Sequence, residues 1–196
     1  MRIFLAGASG VIGTRLTPLL VEAGHTVAGT TRSAGKAELL RGLGAEPVVV
    51  DAYDAEALRE AVVSFGPEMV MHQLTDLPDD AAQIPEHAAG NARIRDEGTA
   101  NLIVAAKAAG AERFLAQSIA WIPAGGDDAR GNLEAQVLAY DGVGVVLRYG
   151  QFYGPGTYYE DGPPEDPPRI EIGAAARRTV DVLDAPSGIV EIVESD

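Results

Sequence analysis

Apolar and polar positions along this chain fall into alternating short blocks, and the blocks change period in a regular way. Arg2-Ile3-Phe4-Leu5-Ala6 is an apolar run of the kind a buried parallel strand shows. An amphipathic stretch follows over residues 11–23, with Val11, Ile12, Leu16, Leu19 and Leu20 on its apolar side. The pattern then predicts strands over residues 25–30, 46–50, 68–72, 113–117 and 143–148. Between them it predicts helices over residues 34–41, 54–64, 87–109 and 132–140. Asp54 stands where an N-cap belongs, Gly66-Pro67 ends one helix, and Gly110 closes another. Short connections in a β-α repeat imply an α/β fold: a doubly wound parallel sheet with helices on both faces.

Ligands in such sheets lie at the carboxyl ends of the strands. The residues to inspect are therefore Gly7, Thr30 to Arg32, Asp51, His72 to Thr75, Ser118 to Trp121, and Tyr149 to Gly154. Gly7-Ala8-Ser9-Gly10-Val11-Ile12-Gly13 joins the first strand to the first helix. Its spacing is G-x-x-G-x-x-G, and a turn with a helix cap is the plain alternative. Directly after a strand, the same glycines let the backbone approach a pyrophosphate at the positive end of the new helix. A dinucleotide site is expected here, with Gly7, Ser9, Gly10, Val11, Ile12 and Gly13 holding the phosphates. The end of the second strand reads Thr30-Thr31-Arg32 in place of the acidic residue that receives the ribose of NAD. Thr31 can donate to a phosphate and Arg32 offers a planar charged fork, which favours NADP(H) over NAD(H). An exposed Arg at a helix start would look the same. Asp51 either meets the adenine edge or caps the turn that follows it.

Composition narrows the setting. The 196 residues suffice for one domain with a sizeable core. A net charge of −14 disfavours nucleic acid and anionic membranes as partners. With no cysteine there is no thiol chemistry, and with neither a membrane-length apolar run nor a leader pattern a cytoplasmic protein is expected. The three histidines share no ligand spacing, so no metal is expected.

Several motifs together resemble the extended or atypical short-chain dehydrogenases/reductases, the group that includes nucleotide-sugar epimerases and dehydratases. They are the glycine turn, Asp51, Asn91 with Gly98-Thr99-Ala100-Asn101-Leu102, and Ala109-Gly110-Ala111-Glu112-Arg113-Phe114. They continue with Gln117-Ser118 and with Leu147-Arg148-Tyr149-Gly150-Gln151-Phe152-Tyr153-Gly154-Pro155-Gly156. The resemblance implies a Rossmann fold over residues 1–156, with residues 157–196 as a much reduced substrate lobe packed on it. It implies that His72 and Leu74 line the ribose-nicotinamide side, that Ser118 joins catalysis, and that Tyr153 borders the substrate. Read on its own, a histidine at the position of His72 is more often packed at a strand end than catalytic.

The family's Tyr-x-x-x-Lys proton relay is missing. Lys36 and Lys107 are the only lysines, neither has a Tyr four residues before it, and residues 119–131 contain no Tyr. Glu134, expected on the first turn of its helix, is a substitute acid or base if burial raises its pKa; otherwise it serves the helix dipole. Arg130 is a candidate partner for a phosphate or carboxylate. Trp121, Phe152, Tyr153, Tyr158 and Tyr159 would form an aromatic pocket. After Tyr159 the Pro-rich acidic run reads as an ordered loop or linker, followed by an extended segment at 169–172, a helix near 174–183 and a strand at 188–193. Three functions stay open: an NADP(H)-dependent oxidoreductase or epimerase-type enzyme on a small metabolite or sugar nucleotide, a non-redox isomerase or cyclase, and a catalytically silent NADP sensor. The resemblance also implies a possible homodimer through the helices around Val104 and Val137, where related proteins pair.

Overall fold

A computed structural model describes residues 1–121 and 128–194. Its main sheet has seven parallel strands: β1 (Arg2–Ala6), β2 (Thr26–Thr31), β3 (Glu46–Val49), β4 (Met69–His72), β5 (Arg113–Ile119), β6 (Val143–Tyr149) and β9 (Gly188–Ile192). Their order across the sheet is β3-β2-β1-β4-β5-β6-β9. The chain winds outward from β1 to β3, returns to β4 beside β1, and continues the other way. That reversal opens a crevice between the carboxyl ends of β1 and β4. A separate two-stranded parallel pair, β7 (Gln151–Tyr153) and β8 (Arg169–Glu171), lies in the segment between β6 and β9.

Strand alternation divides the core into two layers. Ile3, Leu5, Met69, Met71, Leu115, Val145 and Leu147 pack with Leu16 and Leu20 of α1 (Gly13–Glu22), Leu40 of α2 (Ala37–Gly42), and Ala175 and Ala176 of α7 (Ile172–Asp181). Phe4, Ala6, Val70, Phe114, Ala116 and Val146 pack on the other face. Their partners are Leu58 and Val62 of α3 (Ala55–Phe65), Leu102 of α5 (Thr99–Ala109), and Leu133 and Val137 of α6 (Asp128–Leu138). Each fully buried Leu or Phe contributes on the order of 2 kcal/mol by leaving water.

The helix ends follow their residues. Asp54 accepts from the Ala57 amide at 3.1 Å, and Gly66 and Gly110 end α3 and α5 in the left-handed region. The helix expected over 87–109 starts earlier, as α4 (Ile84–Arg93), and reaches α5 through a π-helical turn at Ile94–Gly98. Pro85 at the helix start accounts for the earlier boundary, since its missing N–H needs no partner there. α6 also begins four residues earlier than expected, so Glu134 sits on its second turn rather than its first.

The acidic, Pro-rich run is tied to the body. Arg169 donates to the Pro164 carbonyl at 2.8 Å, and Gln151 donates to the carbonyls of Asp166 and Pro168 at 2.9 and 2.8 Å. The expected C-terminal strand enters the main sheet, with Val145 opposite Gly188 and Tyr149 opposite Ile192. Of the two positions marking the helices expected at a dimer face, Val104 of α5 is 59% exposed and Val137 points inward from α6, fully buried. Among the described residues no helix is long and apolar enough to cross a membrane.

Candidate active site

The glycine turn is built by backbone approach. Gly7 has φ 91°, and a Cβ there would stand 2.6 Å from the Gln73 carbonyl oxygen. A Cβ on Gly13 would stand 2.2 Å from the Gly7 carbonyl oxygen. The Gly7 amide donates to Thr30 Oγ1 and the Gly10 amide to the Gly7 carbonyl, both at 3.0 Å. α1 starts behind the turn with no side-chain cap and no acidic residue in its first turn, so its positive end is uncompensated. Gly7, Ser9, Gly10, Val11 and Ile12 line a cleft of about 1480 Å³ across the carboxyl ends of the strands. Gly13 lies behind this wall, where it packs and does not face the cleft.

At the β2 end the threonines are used internally. Ser9 Oγ donates to Thr31 Oγ1 at 3.2 Å, and the Ser33 amide donates to the same oxygen at 3.2 Å. Arg32 reaches into the cleft, 61% exposed, with Nη2 3.3 Å from Asp76 Oδ1. Lys36 lines the cleft beside it. Asp51 also lines the cleft, while its Oδ1 accepts the Tyr53 amide at 3.0 Å and caps the turn.

The other end of the cleft reaches Leu74, Gln117, Ser118, Trp121 and Phe152, with Tyr158 and Tyr159 along it. Ser118 Oγ donates to Glu134 Oε1 at 2.6 Å. Arg148 holds the same carboxylate by its Nε at 3.0 Å and its Nη2 at 2.7 Å. Burial alone would push the Glu134 carboxyl up. The bonds from Arg148 and Ser118 and the nearby Arg148 and Arg130 charges outweigh it and hold the group below the usual carboxylate range. This corrects the expectation of a raised pKa: Glu134 is a committed carboxylate behind Ser118, outside the cleft wall. Arg130 donates to the Trp121 carbonyl at 2.9 Å, so one face of its fork serves the backbone.

Two expected site residues face elsewhere. His72 is buried beneath the cleft, with its Nδ1 accepting the Leu74 amide and its Nε2 bonded to Thr99 Oγ1, both at 3.1 Å. Burial lowers its pKa to about 4 and keeps the ring neutral. It shapes the backbone at Leu74 as a packed strand-end histidine. The Tyr153 hydroxyl donates to Glu194, and that residue does not line the cleft. Its place is in the small sheet, at the end of β7.

Sequence reasoning passed over Arg15, Gln73 and the role of Arg148. Arg15 donates to the carbonyls of Val11 and Pro155, joining the glycine turn to the loop after β7. Arg148 carried a signal, since one cation inside an otherwise apolar strand calls for a buried anion.

A glycine turn and an uncapped helix at the reversal of a doubly wound parallel sheet define a dinucleotide-binding α/β protein. A family model described as NAD(P)H-binding matches residues 7–140. The chain belongs to this NAD(P)H-binding family. It is 40% identical, over 226 aligned positions, to a 3-diazoavenalumate denitrifying reductase from a Streptomyces species, covering 100% of this chain and 73% of the relative. In fold it is similar to a UDP-glucose 4-epimerase of Thermus thermophilus in complex with NAD, with a TM-score of 0.80 at 20% identity, covering 100% of this chain and 78% of that one. ChuY, an anaerobillin reductase of Escherichia coli, gives a TM-score of 0.75 at 16% identity, covering 100% and 98%.

Proposed function

We propose that this protein reduces a small aromatic metabolite with hydride from NADPH, in preference to NADH. The observation that carries the reading is the glycine cradle, where Gly7 and Gly13 leave no space for a Cβ and the uncapped start of α1 stands at a cleft of about 1480 Å³. Its residues fit the group: the turn approaches a pyrophosphate, and Arg32 with Lys36 meets a 2′-phosphate. The Arg32–Asp76 contact is long and exposed, so a phosphate dianion competes well for the guanidinium. Bound there, the nicotinamide supplies hydride.

The protein's own groups shape what can be reduced. The Ser118 proton is held by a charged acceptor, and no Tyr-x-x-x-Lys pair exists to protonate a nascent alkoxide. A substrate whose reduction builds no alkoxide suits this site. Replacing an aryl diazo group by hydrogen is such a reaction: the cationic form accepts one hydride, a C–H bond replaces C–N, and dinitrogen leaves. The Streptomyces relative is named for acting on a diazo compound. Trp121, Phe152, Tyr158 and Tyr159 offer aromatic surface for the ring.

Calorimetric titration with NADPH and NADH comes first, followed by consumption of reduced nicotinamide with a benzenediazonium salt and with acetophenone. We expect NADPH to bind at least about tenfold more tightly, and the diazonium salt to be consumed well above the protein-free rate. Failure of the folded protein to bind either nucleotide overturns the function. Faster turnover of acetophenone overturns the substrate class alone.

A further inference from the structure

The cleft wall holds buried acceptor atoms that nothing among the described residues satisfies. Gln73 lies just past β4 and is 4% exposed; its Oε1 has no hydrogen-bond partner. Gln117 in β5 lines the same cleft, and its Oε1 is likewise buried and unpartnered. An orphaned buried carbonyl is costly to keep, so a pair of them beside one cleft calls for a donor.

A chain of hydroxyls settles which end of the Gln73 amide is left over. Thr179 Oγ1 donates to the Ala175 carbonyl at 2.7 Å, which spends its only proton. The Tyr149 hydroxyl, 2.7 Å from Thr179 Oγ1, must then be the donor in that contact. With its proton spent, the Tyr149 oxygen receives from Gln73, whose Nε2 lies 3.3 Å away. Burial pushes the Tyr149 pKa up to about 12, so the direction of donation is the same throughout the physiological range. Reversing the amide would set its oxygen against the Tyr149 oxygen, two acceptors with no proton between them. The atom left unsatisfied is therefore an acceptor, Oε1. The strand alternation that sends Met71 and Leu115 to the α1 and α7 side sends Gln73 and Gln117 there too.

The two ends of the cleft differ in kind. Arg32 and Lys36 supply cations beyond the glycine turn on the β2 side, and the glutamines supply neutral acceptors on the β4–β5 side. An extended dinucleotide with its 2′-phosphate at Arg32 and its pyrophosphate at the turn has its nicotinamide toward β4 and β5. The nicotinamide carboxamide carries two N–H donors. Resting on the cofactor assignment above, we propose that Gln73 Oε1 and Gln117 Oε1 form a carboxamide-binding subsite that receives this N–H₂ group.

The test measures binding and needs no substrate. Calorimetry is run with NADPH and with the reduced 3-acetylpyridine analogue, whose methyl ketone lacks the N–H₂, on wild type, Gln73→Leu and Gln117→Leu. Wild type should prefer NADPH by about tenfold, the worth of one to two hydrogen bonds in a desolvated site. The preference should shrink to about twofold or less in at least one leucine variant, while affinity for the analogue changes little. Gln117 is no part of the hydrogen-bond chain from Gln73 through Tyr149 to Thr179, so Gln117→Leu carries the test should Gln73→Leu fail to fold. Equal binding of both nucleotides by wild type overturns the subsite, and so does an unchanged preference in both variants. Either result, with tight NADPH binding, leaves the proposed function standing; loss of NADPH binding by wild type removes both.

Discussion

The two ends of the cleft are made by different physics. At the glycine turn almost everything is backbone: close approach of carbonyls, a left-handed residue, an uncapped helix. At the Ser118 end it is side chains drawn from β4, β5, β6, α6 and α7, held by charge and hydroxyl chains. The first kind tolerates no added atom. The second tolerates change only where both members of a pair change together.

The largest effect should come from the turn. Gly13→Ala places a methyl 2.2 Å from the Gly7 carbonyl. We expect a loss of about 3 kcal/mol or more of stability and NADPH affinity reduced beyond measurement, read by denaturant unfolding and calorimetry. If Gly13→Ala binds normally, the contrast between the two ends dissolves.

Next is the ion pair behind Ser118. Arg148→Met leaves the Glu134 carboxylate buried and unmatched, at a cost of about 2–4 kcal/mol. Adding Glu134→Gln should recover more than half of that in urea unfolding. A double variant no more stable than Arg148→Met would show that the pair acts separately.

The third effect depends on pH. His72 is neutral in the fold with a pKa of about 4, against 6.5 when unfolded. The unfolded chain therefore binds the proton more readily. Stability from this group is fully present above pH 6.5 and is lost as pH falls toward 4, a decline of about 3 kcal/mol. Urea titrations at several pH values should show this slope, and His72→Gln should flatten it. The lowered Glu134 pKa adds a further loss in the same direction, in the window below its ordinary value.

Smaller again is the cofactor preference. Arg32→Ala should weaken NADPH by about tenfold and leave NADH unchanged, whereas Asp76→Asn should strengthen NADPH a few-fold by releasing the guanidinium. Smallest of all, Tyr153→Phe removes only a bond to Glu194 and should leave nucleotide binding and turnover within about twofold.

Periodicity and punctuation carried the fold. Runs such as Ile3 to Ala6 and stops such as Gly66 and Gly110 report local physics, and local physics is written in neighbouring residues. The same holds for the glycine turn, whose members lie within seven positions. The Ser118 end was poorly legible, because its meaning lies in partners 14 to 16 positions apart for Glu134 with Arg148 and Ser118. Gln73 and Tyr149 stand 76 apart. The His72 environment was undecided for a similar reason: a strand-end histidine looks the same whether it faces a cleft or, as here, Thr99. Residues 122–127, which fall between Ser118 and α6, lie outside the described residues, and with them part of the span in which a substitute for the missing relay was sought.

The bond from the Gly7 amide to Thr30 bears on how a ligand is received. It ties the first strand's exit to the second strand's end, so the turn holds its shape from within the sheet. A ligand arriving there meets a mould already set and gives up little chain entropy on docking. Binding should accordingly be enthalpy-led, with a heat-capacity change set by the surface the ligand covers and little added by ordering of the chain.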